Sequence, residues 1–233
     1  MQSENNIIIF PYAGGDARSL HNLGKLLEGN VHIIEYSGHG KRLSEVLFTS
    51  YSPFFEDICR MVNKTYESCE KLILIGYSLG ALVAYDYYTK YPERVSKLIL
   101  CSRQSPTSSI KEKRRGMLSN EELKNEVLLM GGTDSQLLMN KDFEFYLDII
   151  RSDFQIVDSY KVINSDIRFI TCPLQINVGL NDIDFTLRQA NQWIELMDDS
   201  KHCQINIFKK GHFFFKENLH AFSDCINRFI NNN

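Results

Sequence analysis

Short apolar runs alternate along the chain with longer segments whose apolar residues recur at helical spacing. Helical patterns lie at 18–28, 53–67, 80–91, 186–198 and 216–231. Six intervening runs predict β-strands, at Ile7–Phe10, Val31–Glu35, Leu72–Ile75, Lys97–Cys101, Leu174–Val178 and Gln204–Phe208. Four of the runs are almost continuously apolar, which is typical of strands buried on both faces of a parallel sheet. The alternation predicts an α/β fold, with helices on both faces of a mostly parallel central sheet.

One connection departs from this alternation, because no strand pattern occurs over 106–170. A Ser-x-x-Glu capping box at Ser119 precedes a predicted helix over Glu121–Met130. A longer helix is predicted at 142–161 and is apolar over most of its circumference. Such a helix is either packed on two sides or covers a cavity that accepts an apolar ligand. We expect a single domain over 1–233 with a helical lid insertion at 106–170.

Composition narrows the class of protein. The 233 residues are 43% hydrophobic and 24% charged, as in an ordinary globular chain. The net charge of −3 argues against a nucleic acid or an acidic membrane as partner. We expect no signal peptide and no membrane span, since no apolar run reaches about 18 residues. The six cysteines lack metal-ligand spacing, so we expect free thiols in a reducing cytoplasm and no bound metal.

The strongest local signal is Gly76-Tyr77-Ser78-Leu79-Gly80, which joins a predicted strand to a predicted helix. This is the G-x-S-x-G nucleophile elbow in the strand–turn–helix context that makes the motif specific. The strained turn lifts the Ser78 hydroxyl clear of the sheet, and the two glycines let neighbouring backbone approach closely. Ser78 is therefore the predicted nucleophile.

A serine hydroxyl needs a base to remove its proton, and in this fold the base follows an acid late in the chain. His212 follows the last predicted strand, so we expect it at the same sheet edge as Ser78, with His39 as its main rival. The acid is expected after the fifth strand, where either Asp182 or Asp184 is able to accept the imidazole N–H. The residue nearer the strand end is preferred. The other carboxylate is expected at a helix N-terminus or in solvent.

Acyl transfer also requires two N–H donors that stabilise the oxyanion. Leu79, the residue after the nucleophile, is the first predicted donor. The turn after the first strand contains Gly14 and Gly15, which free the backbone to direct an N–H inward, and Ala13 is the second predicted donor. No G-x-G-x-x-G occurs, so no dinucleotide site and no cofactor are expected.

These motifs resemble the type II (external, editing) thioesterases of nonribosomal peptide and polyketide synthesis, a branch of the α/β-hydrolases. The resemblance covers nearly the whole chain and rests on the elbow and on Phe10–Gly15, Gly38–Arg42, Leu118–Glu122, Gly131–Thr133, Arg151–Phe154, Thr171–Leu174 and Gly211–Phe214. The family's acid lies eleven residues before a Trp, and Asp182 stands eleven residues before Trp193, so the resemblance favours Asp182. Three departures from the family pattern are Asp16 for Ser, Ile183 for Pro and Lys210 for Gly.

The resemblance implies hydrolysis of acyl thioesters on the phosphopantetheine arm of carrier domains, to clear misprimed or stalled acyl groups or to release product. Ser78, His212 and Asp182 would act as a triad through an acyl-enzyme, and the insertion would cover the acyl group. The expected partner is an acyl-loaded carrier domain of a peptide or polyketide synthetase. The alternatives are a small-molecule carboxylesterase or lipase, and a hydrolase fold used as a non-catalytic binding module.

A basic run, Lys111–Arg115, leaves two interpretations open. It either docks an acidic carrier or its phosphate, or forms a solvated surface of the insertion.

Overall fold

The computed structural model describes residues 5–66, 71–108, 113–133, 143–161 and 167–232. Within them, six strands form one sheet: β1 Asn6–Phe10, β2 Asn30–Ile33, β3 Leu72–Tyr77, β4 Val95–Cys101, β5 Leu174–Gly179 and β6 Cys203–Phe208. The order is β2-β1-β3-β4-β5-β6, and every neighbouring pair is parallel. The predicted α/β fold is confirmed. The strand order reverses at β1, and open α/β sheets bind ligands at the carboxyl ends of the strands beside such a reversal.

The described helices are α1 His21–Leu26, α2 Tyr51–Thr65, α3 Leu79–Lys90, α4 Asn120–Leu129, α5 Phe143–Ser159, α6 Leu187–Asn191 and α7 Leu219–Asn231. Two of them, α1 and α6, are at least five residues shorter than the sequence pattern predicts. The start of the first is delayed because Ser19 hydrogen-bonds Asp16 in a local turn, an alternative to helical bonding. The predicted helix at 186–198 ends early as α6 and continues only as a 3-10 turn over Ile194–Leu196.

Alternate residues of the central strands enter two separate cores, as the two-residue period of a strand requires. Ile7 and Ile9 of β1 pack on one face of the sheet with α1 and α7, whereas Ile8 and Phe10 pack on the other with α2 and α3. Both faces of β1, β3 and β5 are buried, whereas the edge strands β2 and β6 are half-exposed. The central strands therefore form a rigid base for the loops at their carboxyl ends.

The described part of the insertion is helical and contains no strand. Ser119 and Glu122 form both hydrogen bonds of the predicted capping box at the start of α4. The helices α4 and α5 share a small core of their own: Leu123, Val127, Met130, Phe143, Leu147 and Phe154. Residue 142, the predicted start of the longer helix, lies outside the described residues. That the insertion acts as a lid remains a prediction.

Candidate active site

Ser78 stands between β3 and α3 in a backbone conformation that an L-residue rarely adopts, with φ 53° and ψ −112°. The chain can turn this sharply only because glycines flank the serine. A Cβ on Gly76 would overlap the carbonyl oxygen of Gly80, and a Cβ on Gly80 would overlap the carbonyl oxygen of Phe10. The close packing of strand, turn and helix therefore requires both glycines of the motif.

His212 and Asp182 meet in a buried hydrogen bond at the carboxyl edge of the sheet. The Nδ1 of His212 lies 3.0 Å from Oδ2 of Asp182, and both residues are buried. Burial alone would raise the pKa of Asp182, but the hydrogen bond and charge of His212 lower it below its ordinary value. The N–H groups of Asp184 and Phe185 donate to the other carboxylate oxygen, at 3.0 and 3.1 Å. The carboxylate thus holds the imidazole by one nitrogen only.

The other nitrogen of the imidazole, Nε2, is buried and has no hydrogen-bond partner among the described residues. His212 and Ser78 line the same cavities. In the neutral tautomer with a proton on Nδ1, Nε2 carries the lone pair that accepts a proton. This arrangement can perform general-base chemistry beside Ser78.

Asp184, the alternative acid, is directed elsewhere. Its two carboxylate oxygens accept hydrogen bonds from one guanidinium nitrogen of Arg115, at 2.7 and 3.0 Å. The same guanidinium donates through Nε to Glu126 of α4, at 3.0 Å. The expectation that the second carboxylate is a solvated or helix-terminal charge is therefore wrong, because Asp184 joins the acid loop to the insertion.

The turn after β1 brings the predicted oxyanion donor Ala13 to the cavity that Ser78 lines. The N–H of Gly15 donates to the carbonyl of Tyr12 at 2.8 Å, and Gly14 has φ +75°. Since Ala13 is not among the residues with positive φ, this is a type II turn, which needs a positive φ only at its third residue. Leu79, the other predicted donor, is the first residue of α3, so its N–H has no acceptor inside the helix.

Two cavities meet at Ser78 and His212. One, of about 200 Å³, is lined mainly by apolar side chains: Tyr12, Val127, Met130, Phe143, Tyr146, Ile150, Phe154 and Phe213. The other, of about 430 Å³, has a mixed wall. Apolar side chains there, among them Val157 and Ile183, alternate with polar and charged ones: Ser102, Arg103, Gln104, Lys113, Arg115, Asp184, Thr186 and Gln189. The apolar circumference of α5 is thus explained in part by a cavity, since Tyr146, Ile150 and Phe154 line it.

A sequence model of the thioesterase domain matches residues 5–230. The chain belongs to the thioesterase family. It is 22% identical to the probable anguibactin biosynthesis thioesterase AngT of Vibrio anguillarum, over 97% of this chain and 92% of AngT. The match confirms the thioesterase assignment that the motifs predict.

Two solved structures share the fold of this thioesterase. The type II thioesterase BorB from the borrelidin biosynthetic cluster superposes with a TM-score of 0.85 at 22% identity, over 99% of this chain and 94% of BorB. ClbQ from the colibactin NRPS/PKS pathway superposes with a TM-score of 0.86 at 22% identity, over 98% of this chain and 97% of ClbQ. At these identities the likeness establishes the common fold.

Two hydroxyl groups that the sequence analysis missed fix the backbone of the thioesterase at His212. The hydroxyl of Tyr77 donates to the carbonyl oxygen of His212 at 2.5 Å, and that of Ser102 donates to the same oxygen at 3.1 Å. Tyr77 lies inside the elbow motif, and Ser102 directly follows β4 with a positive φ. Both residues lie at the carboxyl ends of strands, and this position is the sequence signal that could have identified them.

His39, the rival base, is buried and has both ring nitrogens engaged. Nδ1 lies 3.1 Å from the carbonyl of Ser37, and Nε2 lies 3.0 Å from Oδ2 of Asp153 on α5. Asp153 belongs to the Arg151–Phe154 motif, yet no role followed from that motif in the sequence. With no free nitrogen, His39 is not arranged as a base.

The basic run is divided between surface and interior. Lys113 and Arg114 are exposed, whereas Arg115 is buried between Glu126 and Asp184. The interpretation of the whole run as an exposed docking or solvated surface is therefore wrong at Arg115. Lys111 lies outside the described residues.

The remaining expectations concern metal binding, the cysteines and membrane spans. Among the described residues, no cluster of three or more His, Cys, Asp or Glu side chains could hold a metal ion. The five cysteines in the described ranges are free thiols, and Cys69 lies outside those ranges. None of the described helices has the length and apolar character required to cross a bilayer.

Proposed function

We propose that this thioesterase hydrolyses acyl thioesters on the phosphopantetheine arm of carrier domains in nonribosomal peptide or polyketide synthesis. It would act there as a separate type II enzyme that removes misprimed or stalled acyl groups or releases product. The observation that carries the proposal is the meeting of two unlike cavities at Ser78 and His212. An acyl thioester on this arm has the matching form, since an apolar acyl chain lies on one side of the scissile bond and an amide-rich arm on the other.

In the proposed mechanism, the oxygen of Ser78 attacks the thioester carbonyl while Nε2 of His212 takes the hydroxyl proton. Asp182 orients the imidazole and stabilises its positive charge. The N–H groups of Ala13 and Leu79 hold the developing oxyanion. When the C–S bond breaks, the thiol leaves with the proton from His212. Water then attacks the acyl-enzyme with His212 again as base, which releases the carboxylic acid and restores Ser78.

The insertion at 106–170 is proposed to serve as the lid of a single domain. Its helices supply Val127, Phe143 and Ile150 to the apolar cavity, which would enclose the acyl chain. The larger cavity would receive the arm, since its lining contains more polar side chains than that of the apolar cavity. The names of AngT, BorB and ClbQ support this assignment, because each places its protein in a biosynthetic pathway or cluster. A cytoplasmic location, where such synthetases work, is part of the proposal.

The test compares one acyl group on a whole carrier domain with the same acyl group on N-acetylcysteamine and as a simple ester. We expect the highest kcat/KM for the carrier, because contacts remote from the scissile bond lower the barrier when they strengthen in the transition state. Ser78→Ala should lose at least about a thousandfold in every reaction. Equal kcat/KM on carrier and short thiol would favour the simple esterase, and turnover that persists in Ser78→Ala would refute the nucleophile.

A second test separates the charges of the basic run. Reversing Arg114, which is exposed and lines neither cavity, should weaken only the carrier reaction if it docks an acidic surface of the carrier, and added salt should do the same. Lys113 is left unchanged because it pairs with Glu126 and lines the larger cavity. The short thiol is the control, since it has no protein surface to dock. A carrier preference unaffected by both changes would place the docking surface elsewhere.

A further inference from the structure

A carboxylate of the insertion is bound to the turn that carries Ala13. Oδ2 of Asp153, on α5, accepts a hydrogen bond from the N–H of Gly14 at 2.7 Å. Asp153 is 1% exposed, so this bond is shielded from water. The same helix also contacts the turn through Ile150, since a Cβ on Gly14 would lie 2.6 Å from its Cγ1.

The bond acts on the peptide whose orientation defines the turn. In a type II turn the central peptide, here Ala13–Gly14, is rotated by about half a turn from its orientation in type I. Asp153 accepts from the N–H of this peptide. The preceding peptide, Tyr12–Ala13, is held through its carbonyl by the N–H of Gly15. Because a trans peptide directs its N–H opposite to its carbonyl, this second bond sets the direction of the Ala13 N–H.

A buried histidine compensates the charge of Asp153. Both nitrogens of His39 face acceptors, the carbonyl of Ser37 and the carboxylate of Asp153, so His39 donates from both in its protonated form. In that form the pair is an imidazolium and a carboxylate, and both side chains are buried. A buried ion pair of this kind holds its partners in one geometry, because removing either charge leaves the other unpaired.

We propose that Asp153, backed by His39, is a positioning residue that holds the oxyanion turn in its reactive conformation. The insertion then contributes to the chemical step as well as enclosing the acyl chain. The inference rests on the proposed function only through the role of the Ala13 N–H. It does not depend on the carrier, since any thioester or ester that Ser78 attacks forms the same oxyanion.

The test uses Asp153→Ala and Asp153→Asn in the full chain, with an N-acetylcysteamine thioester as substrate. We expect Asp153→Ala to lower kcat by roughly a hundredfold with little change in KM, as expected for a slightly misplaced oxyanion donor. Asp153→Asn keeps an oxygen that accepts from Gly14, so it should recover part of the loss. A kcat within about threefold of wild type in Asp153→Ala would overturn the proposal.

Two inhibitors distinguish positioning from a merely structural role. A medium-chain alkylthio trifluoromethyl ketone forms an oxyanion when Ser78 adds to its carbonyl, whereas the matching thioether, in which CH2 replaces the carbonyl, does not. Asp153→Ala should weaken the ketone by about the same factor as kcat/KM and leave the Kd of the thioether within about threefold. Equal weakening of both inhibitors would mean that the cavity itself has been damaged, and would overturn the proposal.

Asp158→Ala is the matched control. Asp158 also lies on α5, and its carboxylate also accepts from a glycine N–H, that of Gly116, at 2.8 Å. It lies five residues beyond Asp153, more than one helical turn further along α5. If Asp158→Ala reproduced the selective loss of ketone affinity, the effect would belong to the helix and not to Asp153. If wild type failed on carrier substrates but the Asp153 results held on the short thiol, the proposed function would fail and this inference would stand.

Discussion

Two buried His–Asp pairs occur among the described residues, with the same spacing and opposite arrangements. His212 and Asp182 lie 3.0 Å apart, as do His39 and Asp153. His212 uses one nitrogen and leaves Nε2 facing the cavities beside Ser78, whereas His39 binds an acceptor with each nitrogen. A buried His–Asp pair by itself therefore does not indicate a base. The free nitrogen beside a nucleophile indicates the base, and the fully engaged ring indicates a support.

The largest expected difference separates the two histidines. His212→Gln should lower kcat at least about 10⁴-fold, because no group remains to accept the serine proton. His39→Gln should cost less than about tenfold, since the Gln amide can still donate to Asp153. Steady-state kinetics on a short thioester measure both. Comparable losses in the two variants would mean that the free ring nitrogen does not distinguish the base, and circular dichroism spectra would show whether either variant had unfolded.

The next difference separates the two aspartates of the acid loop. Asp182→Asn should reduce kcat by several orders of magnitude, roughly 10⁴-fold, because an amide cannot hold His212 in the required tautomer. Asp184→Asn should cost less than about tenfold, since only the Arg115 contact changes and its backbone N–H still donates to Asp182. Exchanged behaviour of the two variants would mean that Asp184 is the acid.

Arg115→Met tests the link that Asp184 makes to the insertion. Its removal leaves Glu126 and Asp184 without their shared partner, so we expect lower stability by about 3 kcal/mol, the scale of a broken buried pair. Chemical denaturation measures the change. Arg114→Met, one residue earlier and exposed, is the control and should change stability by less than about 0.5 kcal/mol.

The sequence predicts what depends on local geometry or on strand order. Five adjacent residues specify the elbow at Ser78. The positions of His212 and Asp182 could be predicted because each follows a strand, and the carboxyl ends of parallel strands lie at one edge of the sheet. The pairings of Arg115 and of Asp153 were not predicted. Asp153 is 114 residues from His39, and Arg115 is 69 residues from Asp184. A charge in the sequence does not indicate its partner when helix packing alone brings the two together.

The two pairs should also respond at opposite ends of the pH range. Burial lowers the pKa of His39, but the charge and hydrogen bond of Asp153 outweigh it, so the pKa is raised. Glu35 also raises this pKa, and the Tyr36 ring packs against the imidazole. A raised pKa gives stability that is complete below the unfolded value of about 6.5 and is lost as pH rises through the folded value. The pKa of Asp182 is lowered, so its contribution is lost only in acid.

Urea denaturation from pH 4 to 9 measures this contrast. The difference in unfolding free energy between wild type and His39→Gln should be largest near the acidic end and shrink above about pH 6.5. The difference between wild type and Asp182→Asn should stay nearly constant over this range, since its contribution is lost only below the unfolded pKa of about 3.9. A His39 difference that grows with pH would show that this pair is not an imidazolium and a carboxylate.

The smallest expected effect concerns the turns that lead into the two histidines. Gly38 precedes His39 with φ +79°, whereas Lys210, where the family often has Gly, precedes the histidine loop with φ +86°. The Lys210 side chain gains only an exposed ion pair with Glu217, which contributes little. Lys210→Gly should therefore raise the free energy of unfolding by about 0.5 kcal/mol, since relief of a left-handed backbone exceeds the added entropy of the unfolded chain.

Gly38→Ala should have the opposite effect and lower the free energy of unfolding by more than about 1 kcal/mol, because its Cβ would overlap Leu47. Thermal unfolding measures both, and destabilisation by Lys210→Gly would mean that the lysine side chain, and not the backbone strain, dominates at this turn.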